Sequence, residues 1–310
     1  MPGRHSAAQI TTYFQEWVVP HPRATAAIET AQKLREHKQL IKPGTEARAA
    51  MLLADSQSGK THTFQHNYLP NFIVPECRAQ GLFRDDVEDH QIIKLQDKVI
   101  RMRAPPKPHL GAFAAAFLGG LRCPHRYKGA PLERMERGYD VFERKKAELL
   151  ILESADHLTK LADRRTEDEA SQTQDVLKEM IERGIPILFV GLPGARKVLS
   201  ELQLGHRTEE IIFDPLSVDE LADFIAGIDL LLVHYGIFND MSDLAEFAPY
   251  LKIGCKGQIG VTSNLLMYAA ISASAQGCRK IEPRHLYRAA DDYLVRLNFS
   301  VNPFPKKAAA

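Results

Sequence analysis

The chain has 310 residues, 45% hydrophobic and 25% charged, with a formal net charge of +1 at pH 7. That size accommodates one large α/β domain with an appendage, or two modest domains. Near-neutrality means that any surface for nucleic acid must come from local segregation of charge. No apolar run approaches the length of a membrane span, and the opening Met1-Pro2-Gly3-Arg4-His5 lacks the apolar core of a secretion signal, so a cytoplasmic chain without a membrane partner is expected. Four scattered cysteines (Cys77, Cys123, Cys255, Cys278) show no metal-ligand spacing and read as reduced thiols.

In chain order, residues 8–18 and 24–38 read as helices separated by Val19-Pro20-His21-Pro22-Arg23. A strand is expected over 49–53, followed by a helix from Gly59-Lys60-Thr61 to about Tyr68, stopped by Pro70. Residues 73–93 show no clear order. Val99–Arg103 alternates as a half-exposed strand does, and Pro105-Pro106-Lys107-Pro108 ends it. Helices are expected over 109–120 and 130–146. Apolar strands follow at 148–153, 185–191 and 211–213, with a helix at 167–183 between the first two. Buried strands alternating with helices argue for a parallel sheet covered on both faces. From 217 onward the pattern is helical, over 217–235, 243–252, 258–276 and 282–296. The expected domains are an N-terminal helical extension (1–48), an α/β nucleotide-binding domain (49–216), a helical lid (217–300) and a short tail (301–310).

The most informative stretch is Ala54-Asp55-Ser56-Gln57-Ser58-Gly59-Lys60-Thr61, with His62 next. A strand feeding such a loop at a helix start is a phosphate site: unpaired N–H groups and the positive end of the helix dipole face the anion. Gly59 lets the backbone approach the oxygens, Lys60 bridges the outer phosphates, and the Thr61 hydroxyl can sit on Mg²⁺. Asp55 to His62 are therefore the expected ATP contacts. Ala54 stands where a first glycine is usual.

In such sites a second strand delivers an acid toward the metal, and a following glutamate polarises the attacking water. Here Leu152-Glu153-Ser154-Ala155-Asp156 closes the strand, so Glu153 is the expected metal-facing acid. Ser154 stands where the water-activating glutamate would be, and Asp156 is the remaining acid within reach. A serine is a poor general base at neutral pH, which predicts slow hydrolysis and leaves enzymatic turnover open; such assistance is worth about 10²–10⁴-fold. At the next strand end, Leu192 is apolar where a polar residue would report on the γ-phosphate. Arg207 is either an arginine finger supplied to a neighbouring subunit or an ordinary surface arginine.

These segments together resemble the TniB/TnsC family of AAA+ ATPases, which regulate DNA transposition. The resemblance is carried by Trp17-Val-Val-Pro-His-Pro-Arg23, by the loop ending Gly59-Lys60-Thr61, and by Arg103-Ala-Pro-Pro-Lys-Pro108. Ile185–Ala195 resembles its sensor strand, with Leu192 departing from the usual Thr. Gly257-Gln-Ile-Gly260, Leu265–Ala270 and Gly277–Ile281 resemble its lid, and Asn302-Pro-Phe304 has counterparts near the end. Glu153-Ser154 replaces the family's Asp-Glu pair. The resemblance implies a P-loop AAA+ fold binding ATP and Mg²⁺. It also implies a homo-oligomer, ring or filament, on double-stranded DNA that recruits a transposase and a TniQ-type targeting protein. Lys107, Arg122, Arg126 and Lys128 are the candidate phosphate contacts, each also readable as a solvated charge; Arg279, Lys280, Arg284 and Arg288 read as helix surface. A structural adaptor with a vestigial ATP pocket, and a helicase-loader-like ATPase, are the alternatives.

Overall fold

The computed structural model describes residues 5–42, 44–106, 109–159, 164–197 and 208–306. The chain divides into two compact units. A sheet unit comprises Thr25–Ser56 and Thr63–Phe213; a lid unit comprises Met1–Ala24, Gln57–His62 and Asp214–Ala310.

The sheet unit holds five parallel strands, β1 (Ala49–Leu53), β2 (Val99–Arg103), β3 (Leu149–Glu153), β4 (Ile187–Gly191) and β5 (Thr208–Ile212), in the order β2-β3-β4-β1-β5. All five β1 residues are buried, as its unbroken apolar run predicts for an inner strand, whereas β2 lies at an edge and leaves Arg101 half-buried and Arg103 exposed. One sheet face carries Met51, Leu53, Leu150, Leu152 and Phe189. It packs on Phe113 and Phe117 of α6 (Leu110–Gly120), Phe142 of α7 (Pro131–Arg144) and Leu177 of α8 (Arg164–Glu182). The other face carries Leu52, Ile151, Leu188 and Val190. It packs on Ala27 and Leu34 of α2 (Pro22–Leu40) and on Phe64 and Tyr68. Each of the buried Leu, Ile, Val, Met and Phe side chains contributes about 1.5–3 kcal/mol.

The helix that starts the loop's far side does not stop before Pro70. From α3 (Lys60–His62) it runs on in wide π turns over Thr63–Ile73 with Pro70 inside, then into α4 (Val74–Ala79); α5 (Asp89–Leu95) follows. Proline breaks an α-helix because it lacks the N–H bonded to the carbonyl four residues back and its ring clashes there; a π turn has already given up that bond. An ionic network packs near α4. Arg35 of α2 pairs with Glu148 and with Glu76 (2.7 Å), while Lys98 reaches both acids at 3.0 Å. Two cations and two anions balance, as buried charges require. Burial works to raise the Glu76 carboxyl, but hydrogen bonds from Arg35 and Lys98 outweigh it and hold it below the usual range.

In the lid unit, α1 (Ala7–Glu16) opens with a capping box in which Ser6 and Gln9 bond each other's backbone N–H. Its Ile10 and Phe14, with Trp17, join the core of the lid helices α9 (Val218–His234), α10 (Ala248–Cys255), α11 (Ile259–Ala275) and α12 (Pro283–Ala290). Asp229, only 1% exposed, accepts backbone N–H groups from Ser242 (3.0 and 3.1 Å) and Leu244 (3.2 Å), pinning the segment after α9. Ser217 caps α9 and Glu220 answers it; Arg23, whose Nε also reaches the Asp214 carbonyl at 3.3 Å, pairs with Glu220. The Arg23 hydrogen bond, with the Ser217 backbone, holds the Glu220 carboxyl down to about 2. Among the described residues, no helix is long and apolar enough to cross a membrane.

Candidate nucleotide and DNA site

Strand β1 ends in the interior, and Ala54, packed in the core beneath the α2 face, donates its N–H to the Gly191 carbonyl at 3.1 Å. The small residue in place of the first glycine is thus a core position, where a methyl group is accommodated. Beyond it the backbone turns left-handed at Gln57 (φ 60°) and at Gly59 (φ 87°) before Lys60 opens the helix. Positive φ at Gly59 is the reason for a glycine there, and no atom lies within 4 Å of where its Cβ would stand. An open cradle over a helix start fits a polyphosphate.

Within the lid unit, this part of the loop is gripped by the start of α11. Gly260 donates its N–H to the Gln57 carbonyl at 2.8 Å, and a Cβ on Gly260 would stand 2.5 Å from that oxygen. Tyr293 donates its hydroxyl to Gln57 Oε1 at 3.0 Å and accepts from Asn264 Nδ2 at 3.0 Å. Lys60 Nζ reaches Ser58 Oγ at 3.4 Å. His21 Nδ1 accepts the Ala24 N–H at the start of α2 (3.2 Å). Burial first, then the nearby His62 and Arg23, push His21 down to about 4.

Within the sheet unit, the Glu153 carboxylate is engaged across the sheet. Arg101 of β2 donates to its Oε1 from Nε (3.1 Å) and Nη2 (2.5 Å). Ser154 sits at φ 57°, and its hydroxyl accepts Arg103 Nε at 3.0 Å. Asp156 Oδ1 accepts the Leu192 N–H at 3.4 Å, so this acid braces the turn after β4. A Cβ on Gly191 would lie 2.8 Å from that of Ala195, which makes the turn glycine-dependent. The Leu192 side chain is exposed.

The proposed DNA contacts divide. Arg122 donates to the carbonyls of Lys94 (3.2 Å), Leu95 (2.8 Å) and Gln96 (3.0 Å), and pairs with Asp97. Its guanidinium thereby closes the carboxyl end of α5. Arg126 and Lys128 stand on the exposed connection between α6 and α7. Lys107 and Arg207 lie outside the described residues. In the second basic cluster, Arg279, Lys280 and Arg284 pair with Asp240, Asp243 and Glu282; Arg284 lies on α12, as the helix-surface expectation has it, whereas Arg279 and Lys280 stand in the connection before that helix.

One group of metal-type ligands lies close together among the described residues: Cys278, Glu282 and His285. His285 Nδ1 accepts the Glu282 N–H (3.0 Å), which puts the imidazole proton on Nε2, facing Gln276 Oε1 at 3.3 Å and Cys278 Sγ at 3.8 Å. The nitrogen aimed at the group is a donor, so this is a capping cluster.

The sequence matches the profile of the family described as Bacterial TniB protein over residues 9–215, more than half of the chain. The chain belongs to the TniB family. No curated protein matches its sequence. Solved structures share the fold of this TniB-family chain. The Aeropyrum pernix Orc1 protein in complex with DNA gives a TM-score of 0.62 at 15% identity, over 90% of this chain and 68% of that one. The Aeropyrum pernix ORC2 protein in its ADP form gives 0.60 at 13%, over 91% and 72%. Cdc6p from Pyrobaculum aerophilum gives 0.57 at 17%, over 91% and 71%. The expected class, a P-loop AAA+ parallel sheet with a C-terminal helical lid, is the fold observed.

Sequence reading missed Arg101, Tyr293 and Asn264. Each acts through a partner distant in the chain, and no local pattern announces it. Gly260 entered only by resemblance; its reason is the 2.5 Å approach to Gln57.

Proposed function

We propose that this TniB-family protein binds ATP at Gln57–Thr61 and acts as a DNA-bound assembly factor in transposition. The observation that carries this reading is the left-handed, open loop at Gly59, leading into a helix at Lys60 and fastened through Gln57. Backbone amides of the loop and the Lys60 ammonium would hold the polyphosphate, with Asp55, Ser56 and His62 flanking it. Mg²⁺, carried by the nucleotide, would take the Thr61 hydroxyl; Glu153, the acid expected for it, is engaged by Arg101. A nucleotide supplies charge that this chain's cations can share across a subunit boundary, Arg207 being the candidate donor there. That favours a homo-oligomer, closed or helical, by mass action. Duplex DNA would be held through phosphates and shape, by Lys107, Arg126 and Lys128. Transposase and a TniQ-type protein would be recruited to that assembly. Asp156 serves the turn after β4, and Ser154 is a poor base, so turnover is slow.

Nucleotide-dependent sedimentation with duplex DNA tests the reading. The parent should co-sediment only with ATP, and Lys60→Ala should lose this. Equal sedimentation of both without ATP would leave a structural adaptor. The fold shared with the Orc and Cdc6 structures keeps a replication role as a second reading, which duplex DNA alone does not separate from the first.

A further inference from the structure

The connection between α6 and α7, residues 121–130, carries Arg122, His125, Arg126, Tyr127 and Lys128 and no acid. Its backbone is built rather than loose. Arg122 and Cys123 donate their N–H groups back to Gly119 (3.0 Å) and Leu118 (2.8 Å), and Arg122's guanidinium is locked onto the end of α5. Lys128 N–H closes a turn onto the His125 carbonyl at 3.1 Å. From α7, Arg137 braces both ends of that turn, donating to the carbonyls of His125 (3.0 Å) and Lys128 (3.1 Å). At the turn's centre Tyr127 stands 70% exposed, with the Arg126 guanidinium 4.8 Å from its ring centroid. The Arg126 stem lies against α6, its Cδ 3.6 Å from where a Cβ on Gly119 would be.

An aromatic ring presented on a braced turn loses little freedom when it is covered, and a ring between two cations suits a surface that alternates phosphate with apolar deoxyribose. We propose that Tyr127 is a non-electrostatic DNA contact, its ring lying against the deoxyribose surface of duplex DNA while Arg126 and Lys128 take flanking phosphates. This rests on the DNA-binding reading above and adds to it a residue and a kind of contact. An acidic protein segment would meet the same cations, but it offers the ring no regular alternation of charge with apolar sugar.

The test is a salt titration of the full chain with ATP and a labelled duplex. Tyr127→Ala should weaken binding about tenfold at every salt concentration, leaving the slope of log K against log salt unchanged, and Tyr127→Phe should stay within about twofold of the parent. Lys128→Ala, the electrostatic control, should lower the slope by about one. Circular dichroism confirms folding, which an exposed residue should not disturb. Parent-like binding by Tyr127→Ala, or a loss that appears only as a change in slope, overturns the proposal while leaving DNA binding in place. Self-association lost without DNA, with DNA affinity kept, assigns the ring to a protein neighbour and overturns it as well. A parent that binds no duplex overturns the DNA-binding reading itself, and this inference with it.

Discussion

Two residues in the candidate site carry their consequences in single atoms. Ser154 takes Arg103 Nε at 3.0 Å in a left-handed backbone. A glutamate introduced there would meet the same guanidinium and be held by it. Ser154→Glu alone should therefore raise phosphate release only a few-fold, and Ser154→Glu with Arg103→Gln should raise it by about 10² or more, the low end of general-base assistance. Steady-state release assays decide this; a full gain from the single variant would show that Arg103 lets go. Gly260→Ala poses opposed effects. Alanine gains about 1 kcal/mol of helix propensity, whereas a Cβ 2.5 Å from the Gln57 carbonyl costs about 1–3 kcal/mol in displacement. The clash should win, and the ATP-induced rise in melting temperature should shrink more than the melting temperature itself. An unchanged ATP response would show that the loop does not need the α11 contact. The turn at Gly59 ahead of a helix from Lys60 was legible in the local sequence. The Arg101–Glu153 pair was not, because 52 positions separate its members and only the register of β2 on β3 brings them together.

Among elements, strands were read most easily, since an inner parallel strand must be apolar on both faces. The path through Pro70 was misread because a sequence shows the proline and not the widened turn that admits it. The bonds of Arg122 are equally illegible in sequence, because the carbonyls it meets lie at and just beyond the end of α5, 26–28 positions upstream. The start of α2 gives a pH prediction. His21, ordinarily near 6.5, is pushed to about 4 in the fold, so the unfolded chain binds the extra proton first. Stability should fall as pH drops below about 6.5 and level off near 4, by about 1–3 kcal/mol in all. His21→Asn keeps an acceptor for the Ala24 N–H and does not titrate, so urea melts at pH 7.5 and 5 should differ less than in the parent. An identical pH dependence in both proteins would place the titration elsewhere. Asp229 makes a sharper case. Its carboxylate is met by N–H donors alone, so Asp229→Asn turns an amide N–H toward another N–H and should cost about 1–3 kcal/mol, visible as a lower urea midpoint.

At the scale of the whole molecule, a net charge of +1 forbids strong attraction to DNA at long range, so any affinity must come from short, braced segments such as residues 121–130. The lid unit is stitched from both ends of the chain, Met1–Ala24 and Asp214–Ala310. During synthesis the apolar stripe of Ile10, Phe14 and Trp17 therefore emerges long before its cover is made, a delay of about 10–40 s at 5–20 residues per second. Trp17 is the chain's single tryptophan, and it rests 5.3 Å from the ring of Tyr235. Its emission should be blue-shifted in the full chain and red-shifted in a fragment ending at Phe213. A nascent chain paused at that point would offer ribosome-associated chaperones their first greasy handle, and the same lone fluorophore would time its release.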